Sequence, residues 1–109
     1  MASKGTSTFI FQRLTAVLLL PLTLWFLFNV VAHAGASFSA TTGWLSAPIN
    51  AILLGIFITT GALHMRIGMM EIIEDYIHGG LNGTLNLINW VVVIAIIAVT
   101  WWSLFSLAF

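Results

Sequence analysis

Three long apolar stretches, residues 14–34, 49–70 and 85–107, divide the chain, and polar residues gather between them. The first and third carry no charged residue, and the second carries only Arg66, near its end. A helix needs about 20 residues to cross a hydrocarbon layer of about 30 Å, so each stretch can span. The in–out alternation of barrel strands is absent. No internal repeat or low-complexity tract breaks the pattern. It predicts an all-α membrane protein, with three transmembrane helices in one transmembrane domain over residues 1–109.

The breaks between spans have local causes. Residues 35–47 are rich in Gly, Ser and Thr and are expected to form a connector, with Pro48 opening the next helix. Proline suits that first position because the N–H it lacks has no partner within the helix. Residues 77–84 hold Gly79-Gly80 and Asn82-Gly83, residue types that turn a chain back. Pro21 falls inside the first span, where membrane helices tolerate it if neighbours satisfy the freed carbonyl. The first span also resembles a signal peptide, with Lys4 and Arg13 in front and Ala32-His33-Ala34 behind. Its apolar run exceeds the 7–15 residues of a signal core, so a retained helix is expected.

Composition agrees. Hydrophobic residues make up 61% and charged residues 6%, against roughly 45–50% and 25% in a soluble domain. Mean hydropathy is +1.11. A formal net charge of +0 without a basic tract gives nucleic-acid binding no electrostatic basis. The absence of cysteine excludes disulfides, zinc–thiolate sites and iron–sulfur ligation by this chain. Lys4 and Arg13 precede the first span and residues 35–47 carry no Lys or Arg, so the positive-inside rule places the N-terminus in the cytoplasm. Arg66, Glu71, Glu74, Asp75 and His78 then lie towards the cytoplasm, and Trp101 and Trp102 near the far interface.

The second span carries the candidate chemistry. On a helix, Gly61, His64, Gly68, Glu71 and Asp75 follow 3-4-3-4 spacing and share one face. Small residues on either side of a histidine let a flat group or another helix approach the backbone closely. Such a histidine suits an axial haem ligand, yet spacing alone leaves interhelical hydrogen bonding the commoner role. Arg66 faces nearly opposite and suits a side chain snorkelling to the headgroups. Glu71, Glu74 and Asp75 oppose the helix dipole at a C-terminus, so helix stability does not explain them. Tyr76 lies about 120° round from His64 and roughly 18 Å along the axis, where tyrosine commonly anchors a helix to the interface. His33 suits an interfacial polar residue and His78 a solvated one.

Taken together, His64-Met65-Arg66-Ile67-Gly68-Met69 followed by Asp75-Tyr76 resembles the H-x-x-x-G-M…D-Y signature of succinate dehydrogenase membrane anchors, the smaller hydrophobic subunit of respiratory complex II. Arg13-Leu14-Thr15-Ala16 is similar to the R-x-T-A that opens that family's first helix. The resemblance implies that His64 is one axial ligand to the iron of haem b, and that Arg13 pairs with a haem propionate. It implies that Tyr76 donates a hydrogen bond to ubiquinone, with Asp75 beside it in the quinone site. The implied partners are a larger cytochrome b anchor subunit, an iron–sulfur subunit and a flavoprotein subunit. Those partners hold FAD and the iron–sulfur clusters, and succinate oxidation is theirs. The implied location is the bacterial cytoplasmic (inner) membrane, in preference to the mitochondrial inner membrane. Two other functions stay open on the residues alone: a proton-coupled carrier subunit using Glu71, Glu74 and Asp75, and a structural membrane subunit without a cofactor.

Overall fold

A computed structural model describes residues 4–109 and arranges them as four helices: α1 (Lys4–Ala32), α2 (Phe38–Ser46), α3 (Pro48–Tyr76) and α4 (Gly80–Ala108). Residues 1–3 of the expected domain lie outside the described part. The three long helices match the three expected spans, and each is long and apolar enough to cross a membrane. Each has 29 residues, about 43 Å at 1.5 Å per residue, so helical hydrogen bonding continues past the hydrocarbon layer. Polar residues at the ends of an apolar stretch do not stop a helix: α3 and α4 outrun the bounds set by hydropathy at both ends, while α1 begins ten residues before its bound and ends at Ala32, two residues short. Pro21 lies within α1, and Pro48 takes the expected place at the start of α3.

Two connectors differ from expectation. Most of residues 35–47 forms α2 rather than an irregular loop. Ser37 caps it, its Oγ accepting the Ala40 N–H at 3.1 Å. The Thr42 and Ser46 hydroxyls donate to carbonyls one turn back, Phe38 O and Thr42 O. These polar residues are thus satisfied within a helix instead of ending it. Residues 77–84 also contribute less turn than expected. The reversal needs only Ile77–Gly79, with Gly79 at φ 77°, a region that favours glycine. Asn82 joins the first turn of α4, and its Nδ2 donates to Ile77 O at 2.8 Å and Ile73 O at 3.4 Å. A residue of the expected turn thereby gives Ile77 O a partner past the end of α3 and adds a second one to Ile73 O, which already accepts the Ile77 N–H.

Helix α3 is the middle of the bundle, packed on α1 along one stripe and on α4 along another. The α1 stripe includes Phe57, stacked on Phe26 with centroids 4.9 Å apart, then Gly61 beside Leu19 and Gly68 beside Gln12. The α4 stripe contains Gly55, Thr59 and Arg66. Both follow helical spacing. Ile67 and Val93 are the most deeply buried large side chains. Two polar contacts tie the α3–α4 seam: Asn89 Nδ2 donates to Arg66 O at 2.9 Å, and Trp101 Nε1 to Thr59 Oγ1 at 2.8 Å. Arg66 does not simply snorkel: its guanidinium lies 4.0 Å from the Trp90 ring centroid, a cation–π contact that keeps the charge beside α4.

The tightest packing against a glycine of α3 is at Gly55 rather than beside His64. A Cβ at Gly61 or Gly68 would meet only ordinary contacts, at 3.9 Å and 3.8 Å. At Gly55 it would lie 2.6 Å from Trp101 Cζ3 and 2.7 Å from Cζ2, inside the indole. Trp101 is therefore turned inward onto α3, while Trp102 is exposed. Gly55→Ala is expected to push the indole off Thr59 and lower stability by about 1–3 kcal/mol, the usual range for over-packing. Gly68→Ala should cost much less. Thermal unfolding of the two variants in detergent checks the order.

Candidate functional site

The α1 stripe of α3 brings together the residues singled out in the sequence. His64 projects towards α1, where its Nδ1 lies 2.9 Å from Thr15 Oγ1. The Thr15 hydroxyl also donates to Gln12 O at 2.9 Å. Thr15 is buried, and His64 is half-buried. At this position two clefts meet. One, of about 730 Å³, opens towards the C-terminal end of α3 and is lined by Gln12, Arg13, His64, Glu71 and Glu74 among others. The other, of about 300 Å³, is lined by Ala16, Leu19, Leu20, Thr23, Leu24 and His64. The imidazole thus stands at a boundary between a polar, charged hollow and a largely apolar one.

Arg13, one helical turn before Ala16, shares the polar cleft with His64. Its guanidinium lies over the Phe9 ring, 5.1 Å from the centroid. The two segments that carried the resemblance, one in α1 and one in α3, therefore meet at a single place. Of the two acids on the expected face, Glu71 lines this cleft and Asp75 does not, and Glu74 adds a second acid. Gln12 had no assigned role in the sequence. Its Oε1 is buried on this seam with no hydrogen-bond partner, a cost a folded protein rarely leaves unmet.

Tyr76 and Asp75 are not part of this cleft. Tyr76 is the last residue of α3 and is 77% exposed, and Asp75 beside it is also exposed. The chain holds them at the end of the bundle that carries Arg13, about 18 Å along the axis from His64. His33 is at the opposite end, its Nδ1 2.8 Å from Asn29 O and its ring against Trp44 at 5.4 Å. His78 is exposed. Neither shares a cleft with His64.

The residues at His64 suit an axial ligand to haem. A bound macrocycle needs a nitrogen with a free lone pair, an apolar wall for its ring and a cationic, polar edge for its carboxylates. The Thr15–His64 pair leaves Nε2 for the first. The leucine-lined cleft supplies the second, and the Arg13 guanidinium the third. Among the described residues no group of three or more His, Cys, Asp or Glu is placed to hold a metal ion. Ligation here would therefore rest on His64 as this chain's contribution.

The profile of the family described as succinate dehydrogenase/fumarate reductase transmembrane subunit matches residues 1–104. Over 76 residues the chain is 36% identical to the succinate dehydrogenase hydrophobic membrane anchor subunit of Rickettsia bellii, covering 70% of this chain and 61% of that protein. Over 79 residues it is 40% identical to the succinate dehydrogenase membrane anchor subunit of Reclinomonas americana, covering 70% and 66%. The match thus spans a little under two thirds of each relative. No solved structure gives a significant match.

Proposed function

This chain belongs to the succinate dehydrogenase/fumarate reductase transmembrane subunit family, and from that premise we propose that it is the small membrane anchor of a succinate:quinone oxidoreductase. His64 ligates the iron of haem b through Nε2, and Arg13 pairs with a propionate. The second axial ligand comes from a larger cytochrome b subunit. The observation that carries this reading is the position of His64, bonded to Thr15 where a polar cleft containing Arg13 meets an apolar one. When bound, the haem supplies one-electron storage; ligation, orientation and dielectric come from the protein.

Tyr76 donates its phenolic hydrogen to a quinone carbonyl, and Asp75 hydrates or tunes that site. Quinone reduction takes up two electrons and two protons. A donor at the exposed end of a span can meet a lipid-borne ring on one side and water on the other. Succinate oxidation belongs to the flavoprotein, and electrons arrive through the iron–sulfur subunit. With Lys4 and Arg13 inside, the quinone end faces the cytoplasm of a bacterial inner membrane.

An absorption spectrum of the complex purified through this chain tests the haem assignment. Dithionite reduction should give the sharp bands of a low-spin b-type haem. An intact complex without haem would leave His64 as an interhelical hydrogen-bonding residue and the chain as a structural anchor.

A further inference from the structure

We propose that Thr15 is a positioning residue for the haem ligand, fixing which nitrogen of His64 faces the iron. A threonine hydroxyl has one hydrogen and two lone pairs. The hydrogen is committed to Gln12 O at 2.9 Å, because a carbonyl can only accept. Towards His64 the same oxygen therefore offers a lone pair, and the contact at 2.9 Å is Nδ1–H donating to Thr15 Oγ1. This leaves the imidazole with a hydrogen on Nδ1 and a bare Nε2. Were the tautomer reversed, the hydroxyl would have to turn away from Gln12 O to donate to Nδ1, so the arrangement that keeps both bonds is the one with Nδ1 protonated. Thr15 is only 7% exposed, so no bulk water replaces the lost partner.

The inference rests on the reading that His64 ligates haem, and it extends that reading to the electronics of the iron. A ligating histidine commonly donates its other N–H to an acceptor, which orients the ring and raises the basicity of the ligating nitrogen. Stronger donation from Nε2 favours ferric over ferrous iron. Thr15 should therefore hold the haem potential down. It also gives the α1 segment Arg13-Leu14-Thr15-Ala16 two roles at one centre, Arg13 at its charged edge and Thr15 behind its ligand.

The test compares Thr15→Val, Thr15→Ala and Thr15→Ser in the purified complex, reading haem content and a potentiometric titration of the haem absorbance. Val keeps the shape and removes the acceptor. At fixed poise it should raise the ferrous-to-ferric ratio roughly two- to tenfold, tenfold being about 59 mV for one electron. Ala should shift it in the same direction, and Ser should stay close to the parent. If Val and Ala both fail to retain haem, recovery by Ser assigns the role to the hydroxyl, and failure of Ser overturns it. Val or Ala assembling with the parental potential also overturns it. His64→Ala is measured in parallel. If that variant keeps the parental low-spin spectrum, the ligation reading itself has failed. If it loses that spectrum while Thr15→Val keeps the parental potential, the fault lies with Thr15 alone.

Discussion

His64→Ala is expected to abolish the low-spin spectrum of the complex without dissolving the membrane domain. Alanine removes the imidazole proposed as an axial ligand and leaves a hollow between the polar cleft and the leucine-lined one. If, as proposed, a partner histidine and Arg13 also hold the macrocycle, part of the haem should remain, five-coordinate or water-ligated and high-spin. The packing should tolerate the change. The Phe26–Phe57 stack, the Trp101–Thr59 bond and the Asn89–Arg66 bond all lie away from His64 and tie α3 to both neighbours. Free imidazole can enter the hollow and should restore low-spin character. Absorbance and electron paramagnetic resonance, with and without imidazole, check both steps. A parental low-spin spectrum in the variant would show that iron is held elsewhere.

The parts of this architecture governed by one segment at a time were legible in the sequence. Length and hydropathy locate the three spans because membrane helices satisfy their own backbone and need only apolar length. The face shared by Gly61, His64, Gly68, Glu71 and Asp75 follows from helical period alone, and α1 packs along its Gly61–Gly68 part, while Asp75 lies exposed beyond the cleft. Contacts between segments were less accessible. Thr15 and His64 are 49 residues apart, and nothing in the spacing of either helix pairs them. Trp101 and Thr59 are 42 apart, so the indole that fills the space at Gly55 looked like an interfacial residue. Lipid is as apolar as leucine, and hydropathy therefore cannot tell a lipid-facing side from a helix-facing one. For α2 a signal was present: Ser37 as a cap before a run short enough to satisfy its own hydroxyls. It was masked by the turn-like composition of residues 35–47.

Tyr76→Phe is expected to lower quinone reduction sharply and spare everything measured upstream of it. The structure presents the ring without tying it into this chain: Tyr76 closes α3 and is 77% exposed. Behind it the chain turns at Gly79 and is pinned by Asn82 to Ile77 O at 2.8 Å, so the helix end that displays the ring is fixed. Phenylalanine keeps the ring and its burial against lipid or a partner and deletes only the O–H. If the hydroxyl donates to the quinone carbonyl as charge develops there, its loss should resemble removal of an oxyanion donor, about 10²–10³ in turnover. Bridging by water through the neighbouring Asp75 could reduce that to about tenfold. Haem absorbance should be unchanged, because Tyr76 lies about 18 Å along the axis from His64. Succinate oxidation with a soluble artificial acceptor should also be unchanged, since those electrons leave before the quinone. An interfacial anchor depends on the amphipathic ring rather than on one hydrogen bond, so that role leaves both assays near parental. Quinone reductase activity at the parental level would remove Tyr76 from the quinone site and leave this end of α3 as a membrane anchor.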